Sequence, residues 1–129
     1  MKARILHVED DRSQQNLVRI LLAQAGEYHV DSAGDGISAV EMACQRRPDL
    51  VLLDLNLPGI SGLHTLDALR QIAGMQAVPV VFLTASSDLL THVELIQKGA
   101  AAVLCKPVRP LALAKRIEGL IEEHRGARP

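Results

Sequence analysis

Short apolar runs alternate with longer segments of helical periodicity along the chain. Five runs have the length and composition of β-strands, and they cover residues 3–8, 29–33, 49–54, 78–84 and 101–105. The third and fourth runs are apolar at consecutive positions, which is typical of central strands in a parallel sheet covered by helices on both faces. The pattern therefore predicts a buried, mostly parallel sheet.

Between and after these runs, apolar residues recur every three or four positions, which predicts amphipathic helices. Gly26 and Gly99 mark the ends of the first and fourth helices, and the second ends before Pro48. Ser61 and Asp88 have the side chains expected of N-caps for the third and fourth helices. The five stripes are Leu17, Leu21, Leu22 and Ala25; Val40, Ala43 and Cys44; Leu66, Leu69 and Ile72; Leu89, Val93 and Ile96; and Leu113, Ile117, Leu120 and Ile121.

Five strand–helix units in succession predict an α/β fold with a doubly wound five-stranded parallel sheet and right-handed crossovers. The simplest strand order for such a chain is 2-1-3-4-5, a flavodoxin-like (βα)5 arrangement. A length of 129 residues suits one domain. We assign residues 1–124 to that domain and residues 125–129 to a polar C-terminal tail.

Composition excludes several classes of function. The formal net charge is −1 and the basic residues are scattered, whereas a DNA-reading domain carries a basic stripe. Tyr28 and Phe82 are the only aromatic residues, so base stacking is not expected. No apolar run approaches the roughly 20 residues of a membrane span. Two cysteines that are far apart in the sequence, without metal-ligand spacing, favour a reduced, cytoplasmic protein.

Candidate chemistry lies where the predicted strands end. In a 2-1-3 order, ligands bind beyond the carboxyl ends of strands 1 and 3, at the point where strand order reverses. Glu9, Asp10 and Asp11 follow the first strand, and Asp54 ends the third. Two carboxylates about 4 Å apart repel by roughly 4 kcal/mol at an effective dielectric constant near 20. Either a proton is shared or a cation binds, and oxygen ligands alone favour Mg²⁺ or Mn²⁺.

The fourth and fifth strands bring complementary groups to the same edge of the sheet. Thr84 ends the fourth strand, and Lys106-Pro107 follows the fifth. A hydroxyl can donate a hydrogen bond to a phosphoryl oxygen, and an ammonium can neutralise one. Alone, each residue has an ordinary explanation as a turn, cap or surface residue. Together they predict a cradle for a phosphoryl group held on the Asp54 carboxylate.

Four sequence motifs resemble the receiver domain of two-component response regulators. They are "ILHVEDD", "DLVLLDLNLPGISG", "VVFLTA" and "KGAAAVLCKP", in the family's order and spacing, within a match that runs from Arg4 to about Glu123. The resemblance implies a cis peptide bond before Pro107. It also implies roles for six residues: Asp54 as phosphoacceptor, Glu9, Asp10, Asp54 and the backbone carbonyl of Asn56 as metal ligands, Thr84 as the switch hydroxyl, and Lys106 as the phosphate-contacting lysine.

The function implied by the resemblance is that of a phosphorylation-activated signalling switch. A sensor histidine kinase or histidine phosphotransfer protein would donate the phosphoryl group to Asp54 with the help of Mg²⁺. The protein would catalyse only its own phosphotransfer and dephosphorylation, so it would not be an enzyme in the usual sense. It would act on a downstream protein through the fourth helix, fifth strand and fifth helix, as a monomer or a phosphorylation-dependent dimer, without direct contact to nucleic acid or membrane.

Several features leave alternatives open. Val103 occupies a position where the family usually has Tyr or Phe, so a receiver fold with impaired switching, acting as an interaction module, is one alternative. The other is a receiver excised from a larger response regulator or hybrid kinase, although the Met1 start favours a stand-alone or N-terminal receiver. A phosphoaspartate hydrolase is disfavoured, because Asn56 replaces the acid required two residues beyond the nucleophile. We expect His7 to be a hydrogen-bonded core residue and Cys105 to be buried.

Overall fold

A computed structural model describes residues 3–26 and 28–126 of the chain. Its five parallel strands form one sheet in the order β2-β1-β3-β4-β5, which confirms the predicted topology. The strands are β1 (Ala3–Val8), β2 (Tyr28–Ala33), β3 (Leu50–Asp54), β4 (Val80–Thr84) and β5 (Ala102–Cys105). The helices are α1 (Arg12–Ala25), α2 (Gly36–Gln45), α3 (Gly62–Arg70), α4 (Leu89–Gln97) and α5 (Pro110–Gly126).

Side chains on successive strand positions point to opposite faces of the sheet, and each face has its own core. In β3, Leu50 and Leu52 pack with residues of α1 and α5, whereas Val51 and Leu53 pack with residues of α2, α3 and α4. All five residues of β3 are buried, and so are all five of β4. This two-sided burial explains the continuous apolar runs in the sequence.

The helix starts follow the predicted capping chemistry. The Ser61 hydroxyl accepts a hydrogen bond from the His64 N–H, and the Asp88 carboxylate accepts one from the Leu90 N–H. Each side chain thereby satisfies a backbone donor that has no partner within its helix.

The predicted apolar faces of three helices differ from the observed ones. In α2, Cys44 of the predicted stripe is exposed, although Ala43 is buried. In α4, Leu95 is the buried residue, whereas Leu89, Val93 and Ile96 are exposed. In α1 the buried residues are Val18 and Leu22, while Leu17 and Ala25 of the predicted stripe are exposed. Helices α1 and α4 carry apolar side chains on more than one face, so periodicity alone did not determine which face packs on the sheet.

Candidate functional site

Four strand ends place the predicted site residues at one edge of the sheet. Glu9 directly follows β1 and is buried, and its N–H donates to the Ala33 carbonyl at 2.9 Å. Asp54 is the last residue of β3 and Thr84 the last of β4, and both are buried. Lys106 directly follows β5, and its N–H donates to the Thr84 carbonyl at 2.8 Å. The parallel register therefore fixes the backbone positions of these groups independently of their side-chain contacts.

The Lys106 ammonium joins two of the carboxylates. Its Nζ donates to Glu9 Oε1 at 2.9 Å and to Asp54 Oδ2 at 3.0 Å. The side chains of Glu9 and Asp54 are only 4% and 9% exposed, whereas that of Lys106 is 28% exposed. Unpaired charges this deeply buried would be costly, so the lysine supplies the compensating charge.

Burial and pairing act in opposite directions on the titration of this cluster. Burial raises the pKa of Glu9, against the opposing influence of Lys106. Burial alone would lower the pKa of Lys106, but hydrogen bonds to Glu9 and Asp54 outweigh it and raise that pKa. Lys106 therefore carries a full positive charge at neutral pH.

The acidic cluster fits a hard divalent cation. Glu9, Asp10 and Asp54 each offer a carboxylate oxygen, and these atoms all lie within 4.8 Å of one another. Two of the residues are buried and Asp10 is exposed, which leaves one side of the cluster open to water. Mg²⁺ prefers this arrangement of a few carboxylate oxygens with retained water. The residues present thus match the donor set predicted from the sequence, apart from the Asn56 carbonyl, whose role stays a prediction.

Asp11 has a different role from its neighbours. Its carboxylate caps α1, accepting from the Ser13 N–H at 2.8 Å and the Gln14 N–H at 3.2 Å. The hydrogen bond from the Ser13 hydroxyl, together with these backbone bonds, lowers the pKa of Asp11. The sequence indicated three acidic residues at this strand end, and the structure assigns one of them to helix capping.

The loop after Asp54 holds the carboxylate in place. The Asn56 N–H donates to Asp54 Oδ1 at 3.2 Å, so both carboxylate oxygens of Asp54 have partners. The loop returns to the strand end at Gly62, where a Cβ atom would lie 2.6 Å from the Asp54 carbonyl oxygen. A glycine is needed there because α3 starts directly against the backbone of the phosphoacceptor candidate.

Thr84 contacts the loop between β4 and α4. Its hydroxyl oxygen accepts a hydrogen bond from the Ser86 N–H at 3.1 Å. On the other side of the site, the peptide bond between Lys106 and Pro107 is cis, as the resemblance implied.

His7 lies beneath the site on β1 and is 1% exposed, so its predicted burial is confirmed. Its predicted hydrogen bonding is not, because neither ring nitrogen has a partner among the described residues. The ring lines a cavity of about 570 Å³ between α1 and the segment after β5, with Glu9, Leu21, Lys106 and Val108 among the other lining residues. Burial, with a smaller contribution from the Lys106 charge, lowers the pKa of His7 to about 4, so the ring is neutral at physiological pH.

The burial predicted for Cys105 is wrong. The residue ends β5, which pairs only with β4 in the described sheet, and the thiol is exposed. The sequence had favoured a buried structural cysteine within the fifth predicted strand. Its position at the end of an edge strand explains the difference.

A parallel sheet of this order, with an acidic pocket and a facing lysine at its carboxyl edge, has the flavodoxin-like fold and the site expected of a receiver domain. Comparison with known proteins agrees. The model of the response regulator receiver domain family matches residues 5–118, and the chain belongs to this family.

Two solved structures show the same fold at similar sequence distance. Chemotaxis response regulator CheY4 of Vibrio cholerae is 30% identical, with a TM-score of 0.85 and coverage of 92% of this chain and 98% of that chain. NtrX from Brucella abortus is 31% identical, with a TM-score of 0.90 and coverage of 99% and 29%.

Among curated proteins, the DNA-binding response regulator MtrA of Mycobacterium tuberculosis is 37% identical over 124 residues. The match covers 96% of this chain and 53% of the relative, so the chain spans about half the length of that protein.

The domain is therefore a response regulator receiver, a phosphoacceptor signalling domain of two-component systems rather than a classical enzyme. Histidine kinases are the partners that this family implies. Receiver domains bind Mg²⁺ at an acidic pocket, and the acidic cluster of this chain has the corresponding composition. No helix in the described part of the chain is long and apolar enough to cross a bilayer.

Proposed function

We propose that Asp54 accepts a phosphoryl group from a phosphohistidine of a sensor histidine kinase or phosphotransfer protein. The observation that carries this proposal is the contact of one ammonium, Lys106 Nζ, with both Glu9 and Asp54 inside an acidic cluster. A carboxylate in this setting is buried, oriented and charge-compensated, which are the properties required of a nucleophile that must stay ionised.

In the proposed reaction an Asp54 carboxylate oxygen attacks the phosphorus, and the phosphorus–nitrogen bond of the donor breaks. The imidazole nitrogen keeps the electron pair of that bond, and an acyl phosphate forms. Bound Mg²⁺, held by Glu9, Asp10, Asp54 and the Asn56 carbonyl, would neutralise charge on the transferred oxygens. Lys106 is positioned to exchange its bond to Asp54 for one to a phosphoryl oxygen, and the Thr84 hydroxyl to donate to another.

Loss of the phosphoryl group to water would return the protein to its starting state. We assign this step to the domain itself, because an acyl phosphate is labile and Asp10 leaves the site open to solvent. The side chains two residues beyond Asp54 and Thr84, those of Asn56 and Ser86, flank the site and would adjust the lifetime of the phosphorylated form.

The proposed output surface is formed by α4, β5 and α5. Leu89 and Leu90 of α4 are each 73% exposed and Leu111 of α5 is 69% exposed, which gives this side a strongly apolar character. Ala100 and Ala102, just before and at the start of β5, are buried, so the exposed leucines carry that character. An apolar surface of this kind suits a protein partner, either a downstream effector or a second copy in a phosphorylation-dependent dimer.

We propose no direct nucleic-acid contact for this domain, since its formal net charge is −1. DNA binding by relatives such as MtrA belongs to proteins about twice as long. We retain residues 1–124 as the domain and 125–129 as the tail, although α5 runs to Gly126 and residues 127–129 lie outside the described part of the chain. We also propose a cytoplasmic location, in keeping with its kinase partners.

The test is intact mass after incubation with Mg²⁺ and acetyl phosphate. We expect one added phosphoryl group in the wild type and in Asp67→Asn, an exposed control on α3, and none in Asp54→Asn. Addition that persists in Asp54→Asn would refute the assignment. Turnover of external phosphoesters would instead indicate a hydrolase.

One observation favours a second candidate, an interaction module with impaired switching. Val103 replaces the family's usual aromatic residue and packs against the core on the α2–α4 side. If the folded wild type gains no phosphoryl group from acetyl phosphate or from a phosphohistidine donor, the interaction module becomes the better description and the phosphorylation switch is refuted.

A further inference from the structure

Ser86 connects the candidate switch hydroxyl to the output side of the domain. Its N–H donates to Thr84 Oγ1 at 3.1 Å, and its own hydroxyl accepts from the Asp88 N–H at the start of α4, also at 3.1 Å. The N–H, the hydroxyl oxygen and the carbonyl oxygen of Ser86 all have partners, because its carbonyl is bonded as well. A shift of Thr84 therefore cannot leave Ser86 in place without breaking a hydrogen bond.

The Ser86 carbonyl oxygen is shared by two side chains from two different elements. His92 Nε2 of α4 lies 2.8 Å from it, and Cys105 Sγ of β5 lies 3.2 Å from it. A carbonyl oxygen only accepts hydrogen bonds, so His92 must be protonated at Nε2 and the Cys105 thiol must donate. The two donors are themselves 3.6 Å apart.

We propose that His92 and Cys105 are the positioning residues of the switch. They hold the Ser86 carbonyl, and through it the Thr84 hydroxyl, in the unphosphorylated arrangement, and their release carries the signal to α4 and β5. This inference rests on the proposed function, since it requires a phosphoryl group on Asp54. It concerns how that group is sensed, and not how it is acquired.

Phosphorylation changes which hydrogen bonds the loop between β4 and α4 can keep. When Thr84 donates to a phosphoryl oxygen it moves towards Asp54, and Ser86 as a whole shifts with it, because its N–H is bonded to the Thr84 hydroxyl oxygen. The carbonyl then leaves His92 and Cys105, so both contacts stabilise the unphosphorylated state alone. A contact made in only one of two states shifts the equilibrium towards that state. The contacts of His92 and Cys105 could thus replace the aromatic side chain that the family usually has at the position of Val103.

The first test measures the binding of beryllofluoride, a phosphoryl mimic, by ¹⁹F NMR in the presence of Mg²⁺. Removing a hydrogen bond made only in the unphosphorylated state should strengthen binding roughly threefold to tenfold in His92→Ala. His92→Gln can still donate to the Ser86 carbonyl, so it should bind within about twofold of the wild type. Tighter binding in both variants, or in neither, would overturn the proposal.

The second test uses the Cys105 thiol as a direct sensor of the Ser86 carbonyl. In a Cys44→Ser background, which removes the other exposed thiol, saturating beryllofluoride should raise the reaction rate of Cys105 with an aromatic disulfide reagent severalfold. The same additions should leave the rate unchanged in a protein that also carries Asp54→Asn.

An unchanged Cys105 rate in a protein saturated with beryllofluoride would overturn the relay and leave the Asp54 assignment intact. Failure of the parent protein to bind beryllofluoride or accept a phosphoryl group would overturn both proposals. Circular dichroism confirms that His92→Ala and His92→Gln are folded before either comparison is made.

Discussion

Replacing Lys106 by methionine should destabilise the metal-free domain and at the same time strengthen Mg²⁺ binding. Methionine keeps the length of the side chain but removes the charge that joins Glu9 and Asp54. Two buried carboxylates would then face each other and Asp10 without a compensating cation. The two effects have opposite signs, so a general loss of folding quality would not mimic them.

The loss of stability expected for Lys106→Met follows from the hydrogen bonds that the ammonium makes. Lys106 makes two charge-assisted bonds, of 2.9 and 3.0 Å, and bonds to charged groups contribute about 1.5–3 kcal/mol each. Because 28% of the lysine side chain remains exposed, water weakens both bonds, and we expect a total loss of about 2–4 kcal/mol. Mg²⁺ meets an uncompensated cluster in the variant, so its dissociation constant should fall by roughly tenfold or more.

The assay is urea unfolding at pH 7.5, with EDTA and then across a Mg²⁺ titration. Stabilisation by a ligand that binds only the folded state gives its dissociation constant from the same curves. Lys115→Met, an exposed replacement on α5, is the matched control and should change neither quantity. A loss below about 1 kcal/mol, or Mg²⁺ binding equal to or weaker than that of the wild type, would refute the view of Lys106 as the counter-ion of the cluster.

The pH dependence of this variant provides a further check. Burial already raises the pKa of Glu9, so the folded state favours the protonated acid more than the unfolded state does. Such a group supports folding at low pH and loses that contribution as the pH rises through its folded-state pKa. Without Lys106 that pKa rises further, and the deficit of Lys106→Met should therefore be smaller at pH 5 than at pH 7.5.

Three other predictions follow from the structure. Folding lowers the pKa of His7 from 6.5 to about 4, so the wild type should lose roughly 2 kcal/mol between pH 7.5 and pH 5 through this residue, and urea titrations of His7→Leu should lack that loss. Gly62→Ala should cost about 1–3 kcal/mol, because its Cβ would meet backbone atoms at 2.6 and 2.9 Å, whereas Gly119→Ala in α5 has free space and should be neutral or stabilising. EDTA should prevent phosphorylation of Asp54 by acetyl phosphate while leaving the circular dichroism spectrum unchanged, and phosphorylation that survives EDTA would argue against a metal-dependent site.

The sheet topology was predictable because its signals are local and repeated. The apolar runs predict the positions of the strands. Their polar last residues, such as Asp54 and Thr84, mark the edge of the sheet at which the side chains meet. Since parallel strands align their carboxyl ends, the meeting of residues as far apart in the sequence as Glu9 and Lys106 required no knowledge of tertiary contacts. The caps Ser61 and Asp88 were predictable for the same reason, since capping depends on the neighbouring three residues.

The contacts of Lys106 were harder to predict. The resemblance implied a phosphate-contacting lysine, whereas the structure shows the same ammonium bound to Glu9 and Asp54. Lys106 can make both kinds of contact. Before phosphorylation its charge is balanced by the surrounding carboxylates, and afterwards it can bind a phosphoryl oxygen. Sequence reasoning described the ligand-bound state and missed the ion pairs that precede it.

The surface of α4 could not be predicted from periodicity. The helix sequence "LLTHVELIQ" has apolar residues on most sides, and the burial of Leu95 leaves Leu89, Leu90 and Val93 facing outwards. Which side packs on the sheet depends on the path of the chain from Thr84 to Asp88, and hence on the contacts of Ser86.

That path joins the two halves of the proposed mechanism. Only three residues lie between Thr84, which faces the phosphoryl site, and Asp88, which caps α4, and Ser86 is hydrogen-bonded to both. Because Ser86 is bonded to both ends of this loop, a movement of Thr84 must either break one of these hydrogen bonds or displace Asp88 and the start of α4. The exposed leucines of α4 then lie on the element that this segment positions. We infer that in this receiver a change at Asp54 reaches the output surface through the hydrogen bonds of one loop, without an aromatic side chain on β5.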